Sequence, residues 1–578
     1  MGDLLKLFQY MKPYRTAVIF VLLFTFFQCL SDLYLPTLMA DIVDIGIVKG
    51  DVPYIWSVGG FMLLVTAGGM VCSIAASYLA SKSATGFGRI LRGRVFSHVE
   101  NFTLQEFDKI GTASLITRTT NDITQVQQVT IMILRMMAIA PMMCIGGIVM
   151  AVSRDPGLTT VLLIVLPILA LAIFIIAKKG IPLFKAIQIK IDTLSRVLRE
   201  NLTGMRVIRS FNRMDHETVR FNDANEDLTA TSIKVNKIMG AMMPVMMLVM
   251  NFATLAIVWF GAHRIEAEYM KVGDLMAFLQ YAMMIMFSLI MLSVMFVMIP
   301  RAQASAVRIN EVLNMMPEIH DPKQPRNTGI QTGSIEFQDV TFYYPGAEEP
   351  AISDISFQAG PGEITAIIGG TGSGKSTLIS LIPRFYDVTS GRILVNGTDI
   401  RDLMQEDLRN RIGFVPQKAL LFTGTIAENI RYGKEDATDE EIQHAAKVAQ
   451  AADFISSMEG GYDAEISQGG SNVSGGQKQR LSIARALVRR PEIYVFDDSF
   501  SALDFKTDAN LRAALREETT EATVLIVAQR VSTVMDADRI IVLEQGRIAG
   551  MGTHEELMAS SDVYREIVTS QLSEEEIA

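Results

Sequence analysis

The sequence predicts an all-α polytopic membrane domain with six transmembrane helices, followed by an α/β domain built around a phosphate-binding loop. Three observations carry this. Six long apolar runs all fall before Pro300, and none of that length recurs after it. From Ser334 the pattern changes to short β-rich runs separated by helices, the mark of an α/β domain. Residues 369–376 read Gly-Gly-Thr-Gly-Ser-Gly-Lys-Ser and match G-x-x-x-x-G-K-[ST]. The expected boundaries are a membrane domain over 1–300, a linker over 301–333 and a phosphate-loop domain over 334–578.

The apolar runs are about Thr16–Ala40, Tyr54–Ala80, Val129–Ser153, Leu158–Ala177, Ile238–Gly261 and Leu275–Pro300. A ~30 Å hydrocarbon layer needs about 20 helical residues, so each is long enough to cross. The segments Ser81–Gln128 and Lys178–Lys237 are rich in Arg and Lys, whereas the opposite loops are short and hold few cations (Lys49, Arg154, Arg264, Lys271). Basic loops stay in the cytoplasm. Six crossings then put both termini and the phosphate-loop domain on that side. The two basic segments show helical periodicity and are read as cytoplasmic extensions of the membrane helices. Their middles, Phe107–Thr119 and Asn201–Asn212, are the expected contacts with the second domain.

Met1–Tyr14 lacks a cleavage site and is followed by too long an apolar run for a signal peptide. Two readings stand: a short helix on the inner membrane surface, or a frayed terminus. Cys29, Cys72 and Cys144 all lie in apolar runs and read as small buried hydrophobes. The net charge of −10 argues against a nucleic-acid partner.

The phosphate loop has the context it requires, with Ile364–Ile368 read as a buried strand before it and Ser376–Phe385 as a helix after it. Gly369, Gly370, Thr371, Gly372, Ser373 and Gly374 bring backbone N–H groups to phosphate. Lys375 reaches the β/γ-phosphates of a nucleotide and Ser376, beside Thr377, offers its hydroxyl to Mg²⁺. A second apolar strand, Ile493–Phe496, ends in Asp497-Asp498. An acid there, Asp497, can hold Mg²⁺ through water, as in a Walker B motif.

Downstream, Val473-Ser474-Gly475-Gly476-Gln477 resembles the LSGGQ signature of ATP-binding cassettes. With six helices fused to one cassette, nearly the whole chain resembles the half-transporters of bacterial multidrug-type ABC exporters. The resemblance implies ATP and Mg²⁺ as ligands and a second ABC half-transporter as partner. It also implies a bacterial inner (cytoplasmic) membrane setting among lipids and small amphipathic substrates. Carried over residue by residue, it implies that Tyr344, in Phe342-Tyr343-Tyr344-Pro345, stacks on adenine, with core packing as the alternative. Gln417, in Val415-Pro416-Gln417, matches the Q-loop that meets Mg²⁺. Ser474, Gly475, Gly476 and Gln477 would contact the γ-phosphate of ATP held by the partner cassette. Ser501-Ala502-Leu503-Asp504 matches the D-loop.

Two catalytic positions depart from the family pattern. Asp498 stands where the family has Glu, and Gln529, in Ala528-Gln529-Arg530, stands where it has His. Asp is one methylene shorter, and a displacement of about 1 Å costs ~10²-fold in rate. Gln hydrogen-bonds but carries no charge. The loop before the signature also differs, reading Glu465-Ile466-Ser467-Gln468-Gly469-Gly470. Lys375, Ser376 and Asp497 remain, so binding is expected to survive weakened hydrolysis. This is the pattern of the degenerate-site subunit of a heterodimer, whose partner supplies the missing Glu and His.

Methionines crowd three membrane runs, among them Met136, Met143, Met242, Met246, Met283 and Met291. Such flexible, polarizable side chains suit a surface that accepts many apolar compounds, and they also pack helices. Asp32 and Arg135 are the ionisable residues inside apolar runs. Arg135 reads as snorkelling, and Asp32 as either a contact for cationic substrate or part of a polar seam. The expected function is ATP-driven export of amphipathic or hydrophobic compounds. The alternatives are a lipid or peptide exporter, or an ATP-gated channel or regulatory subunit.

Overall fold

The structure, a computed structural model, describes residues 2–326 and 333–571. It divides into two units, Met1–Asn101 with Ile110–Met315, and Phe102–Lys109 with Met316–Ala578.

The first unit is all helical, with six helices long and apolar enough to cross a membrane. Their cores are Arg15–Asp41, Val52–Val99, Ile123–Arg154, Thr159–Thr203, Met214–Glu266 and Val272–Asn314. Local sequence sets their starts. Asp51 caps the second helix by accepting from the Tyr54 N–H at 3.0 Å, with Pro53 in the first turn. Its 48 residues make a rod of about 70 Å, more than twice the ~30 Å hydrocarbon layer. The basic segments are thus largely continuations of the membrane helices. The sixth helix runs to Asn314, into the stretch expected as linker, and residues 327–332 of that stretch lie outside the described residues.

Small residues let these helices approach. Ala76, Ala80 and Ala84 are buried along the second helix. Several buried polar groups are paired, although Gln28 Oε1 is buried without a hydrogen-bond partner among the described residues. The fully buried Tyr281 donates to the Leu33 carbonyl at 3.0 Å and shares a 2.8 Å hydrogen bond with Thr37. Buried Asp122 takes hydrogen bonds from Ser305 (2.9 Å) and Arg308 Nε (2.7 Å), and buried Asp155 takes one from Arg264 (2.6 Å).

The N-terminal segment is a helix, Gly2–Leu7, continued by a 3₁₀ stretch, Phe8–Tyr14. It is not frayed. Leu4 and Leu7 are buried, the Leu4 N–H donates to Gln303 Oε1 (3.2 Å) and Asn310 donates to the Asp3 carbonyl (2.9 Å). The Arg135 guanidinium donates to Ser77 Oγ on the neighbouring helix.

The second unit is α/β. A six-stranded sheet runs, in spatial order, Arg547–Gly552, Arg539–Glu544, Ile364–Gly369, Thr523–Val527, Ile493–Asp497 and Ile412–Val415. All neighbours are parallel except the first pair. Buried on both faces, the inner strands read as continuous apolar runs, as Thr523–Val527 does. A four-stranded sheet, Ile352–Ala359, Ile335–Phe342, Ser390–Val395 and Thr398–Asp399, packs its apolar residues into one of two hydrophobic clusters. Helix Leu104–Ile110 begins in Phe102–Lys109. There Glu106 is buried and accepts from the Glu318 N–H at 3.0 Å. Of the two expected contact segments, then, Phe107–Lys109 groups with the cassette side, while 110–119 and Asn201–Asn212 group with the membrane helices.

Candidate nucleotide site

Parallel register gathers the site. Ile367 pairs with Val527, and Val527 with Asp497, so residues 369–376, Asp497–Asp498 and Gln529 all leave the sheet at its carboxyl edge. Open α/β sheets bind ligands at that edge. Gly374 lies at φ 96°, and a Cβ there would come within 2.7 Å of the Ala351 carbonyl, so only glycine fits. A Cβ at Gly370 or Gly372 would meet nothing within 4 Å, which leaves the loop open to a ligand. The helix after the loop is shorter than expected, Lys375–Ser380; Pro383 and the left-handed Arg384 (φ 55°) stop it before Phe385.

Lys375 is buried, and its ammonium donates to the carbonyls of Gly369 (2.8 Å) and Gly370 (2.7 Å). Burial pulls its pKa down, against the pull of Asp498 and Asp497. Ser376 Oγ donates to Asp497 Oδ1 at 3.0 Å. Burial pushes Asp497 up, and the neighbouring charge of Asp498 adds to this; the Ser376 hydrogen bond and Lys375 oppose it. A hydroxyl and a buried carboxylate side by side are hard oxygen donors, so the residues fit Mg²⁺. The ion, with nucleotide phosphates, would there neutralise developing charge. Gln417 reaches the same cluster, with Nε2 3.3 Å from Asp498 Oδ2.

Tyr344 is 39% exposed, and its ring also packs edge-on against the buried Phe342 at 5.0 Å. Its hydroxyl shares a 3.0 Å hydrogen bond with Thr377, and its ring meets Tyr386 edge-on at 5.6 Å. Thr371 is exposed at the loop tip and Ser373 buried beneath it. Tyr386 was not legible as a site residue, because it sits after the loop helix in no motif.

Asp498 and Gln529 meet. Gln529 Nε2 donates to Asp498 Oδ2 at 2.9 Å. Asp498 is left-handed (φ 46°), a conformation Asp tolerates better than most residues. Its N–H donates to the Val527 carbonyl (2.9 Å) and its carbonyl accepts from Ser501 Oγ (2.9 Å). Gln571 braces the Gln529 loop by donating to the Gln529 carbonyl (2.8 Å) and accepting from the Val531 N–H (2.9 Å). Arg530 donates to the Ser501 carbonyl (3.0 Å), tying that loop to the D-loop. Sequence spacing gave no sign of Gln571, 42 positions away.

Ser474 is exposed and caps the helix Gly475–Leu487. It forms a capping box with Gln477: Gln477 N–H donates to Ser474 Oγ (3.3 Å) and Ser474 N–H to Gln477 Oε1 (2.8 Å). The signature hydrogen bonds are thus internal, and Ser474 and Gly475 face solvent at the start of the helix.

Residues 18–289 match the ABC transporter transmembrane region, and residues 352–501 the ABC transporter ATPase domain. The chain is 43% identical over 567 residues, 97% of each chain, to an uncharacterised ABC transporter ATP-binding protein of Mycobacterium tuberculosis. The chain belongs to the ABC transporter family. It is also 32% identical over 580 residues to a putative multidrug export ATP-binding/permease protein of Bacillus subtilis, covering 99% of this chain and 100% of that one. A solved bacterial Atm1-family ABC exporter with ATP bound superposes with a TM-score of 0.81 at 26% identity, over 97% of this chain and 99% of that chain. The fold is that of an ABC exporter with fused transmembrane and ATP-binding domains, and the ABC ATPase domain makes it an ATP-hydrolysing transporter.

The ABC membrane domain holds its own cavity, of about 730 Å³. Met136, Met143, Met283, Met284 and Met291 line it with Phe287, and among the described residues no lining residue is ionisable. Two of the three Met-rich runs thus contribute methionines to one concave apolar surface; the run with Met242 and Met246 does not. Asp32 and Arg135 are not among its lining.

Proposed function

We propose that this chain is one half of a heterodimeric exporter of amphipathic or hydrophobic compounds, and that its own ATP site retains nucleotide better than it hydrolyses it. The observation that carries this is the Gln529–Asp498 hydrogen bond. Where the family places Glu and His around an attacking water, this chain places a shorter carboxylate and an amide that donates to it. Asp498 Oδ2 also lies 3.3 Å from Gln417, so two amides occupy the acceptor that would orient water. A carboxylate held by two donors is a weaker base toward a third group. Lys375, Ser376, Asp497 and Tyr344 keep what binding requires.

A homodimer would carry this defect in both sites. ABC exporters typically work as dimers, and the exposed Ser474 supports a signature turned toward a partner's nucleotide. Exposed Val207 (59%) and Phe211 (74%), near the turn after the fourth membrane helix, offer apolar surface for the same partner. The methionine-lined cavity, without ionisable groups, supports apolar and amphipathic cargo. The cation-rich helix extensions support a cytoplasmic cassette in a bacterial inner membrane. The test is ATP-dependent accumulation of an amphipathic fluorescent dye in inside-out vesicles. Vesicles holding both halves should accumulate dye, and those holding this chain alone should not. Equal accumulation by this chain alone would overturn the reading.

A further inference from the structure

We propose that a groove between the N-terminal segment and the third membrane helix binds one anionic phospholipid. The groove has a volume of about 470 Å³, within the range of small-molecule sites. Its lining includes Phe8, Val18, Ile133 and Leu134, together with Lys12 and Arg15. Both cations are exposed, and neither forms an ion pair among the described residues. Arg15 is the first residue of the first membrane helix, and Val18 lies one turn into it. The cations therefore stand at headgroup depth and the apolar walls at acyl-chain depth. Charge above and hydrocarbon below is the chemistry of a glycerophospholipid with an anionic headgroup.

The groove is pre-built. Leu4 and Leu7 are buried, and Gln303 and Asn310 hold the backbone around Asp3 and Leu4, so the segment carrying Lys12 is fixed without ligand. Binding then has little chain to order. A free phosphate ion would pair with the two cations and leave the apolar lining unfilled. The lining hydroxyl of Thr130 is already spent on the Val126 carbonyl at 2.8 Å, which leaves Gln9 as the polar group beside the cations. A zwitterionic lipid would fit the walls and gain little from two cations. The inference needs only that the helices span a membrane; it stands apart from the heterodimer and cargo readings.

The test is native mass spectrometry of the detergent-solubilised full-length chain, titrated separately with phosphatidylglycerol and phosphatidylcholine. A membrane-surface cation is worth roughly a factor of five, so Lys12→Gln with Arg15→Gln should weaken the tightest phosphatidylglycerol site about 30-fold. Phosphatidylcholine binding should not change. Ile133→Trp keeps both cations but fills the groove, and should weaken both lipids. Glycerol 3-phosphate at the lipid's concentration should fail to displace phosphatidylglycerol. Unchanged phosphatidylglycerol affinity in the double cation variant would overturn the proposal, because those two exposed residues are outside the folded core. Displacement by glycerol 3-phosphate would overturn it too, by reducing the site to an anion site.

Discussion

Restoring the two departed residues should raise ATP hydrolysis in this chain's own site. Asp498 Oδ2 is held 2.9 Å from Gln529 Nε2 and 3.3 Å from Gln417 Nε2. Asp498→Glu extends the carboxylate by one carbon–carbon bond, about 1.5 Å. Displacements near 1 Å cost ~10²-fold, or about 2.7 kcal/mol of barrier, so that is the ceiling of the gain. Two terms reduce it in the single variant. Position 498 is left-handed at φ 46°, which Glu accepts less readily than Asp. Gln529 also remains to hold the new carboxylate. We expect about a tenfold gain from Asp498→Glu alone. With Gln529→His, which removes the amide and restores a group able to carry charge, the gain should approach ~10²-fold. The assay is steady-state ATPase of the reconstituted pair, with the partner's catalytic glutamate changed to glutamine to silence the other site. No gain in the double replacement would refute the reasoning and move the defect away from these residues.

Substitutions at four further positions test the site and the fold. Lys375→Ala should shorten nucleotide retention at this site, read by trapping of labelled ATP, because it removes the ammonium held at the loop. Tyr344→Ala should weaken nucleotide binding by about 1–3 kcal/mol while Tyr344→Phe keeps most of it, since base–aromatic stacking carries that energy and the Thr377 hydrogen bond is secondary. Equal losses in the two variants would contradict stacking. Ser474→Arg should depress ATPase of the pair far more than it changes nucleotide retention at this chain's own loop. In the membrane domain, Arg308→Ala strips the buried Asp122 of its cation and leaves Ser305 as a partner. The loss should be about 3 kcal/mol, the low end for a broken buried pair, because Arg308 is itself half exposed; thermal unfolding of the full chain reads it.

The membrane helices were legible because hydrocarbon admits so few backbone solutions, and length with apolar content nearly suffices. The strand before the phosphate loop was legible for a related reason: a buried parallel strand is apolar throughout. Helix ends were less so. The loop helix stops at Ser380 because Pro383 and a left-handed Arg384 intervene, a local backbone choice that apolar spacing does not encode. The N-terminal segment had two sequence readings, and long-range bonds from Gln303 and Asn310, about 300 residues away, decide against fraying. In the site, motif residues were legible as a set, since spacing within a motif is local. Gln571, Tyr386 and the Asp498–Gln529 contact depend on register across the sheet, which brings together residues far apart in the chain.

On the proposed reading, this chain has no full-strength hydrolytic site of its own. The most direct measurement is the ATPase rate of the purified full-length chain alone, in lipid, beside the rate of the same chain co-assembled with a half-transporter that carries Glu and His at the positions equivalent to Asp498 and Gln529. The chain alone should turn over little ATP, with nucleotide still bound, and the pair should turn over strongly. Turnover by the chain alone at the level of the pair would contradict it.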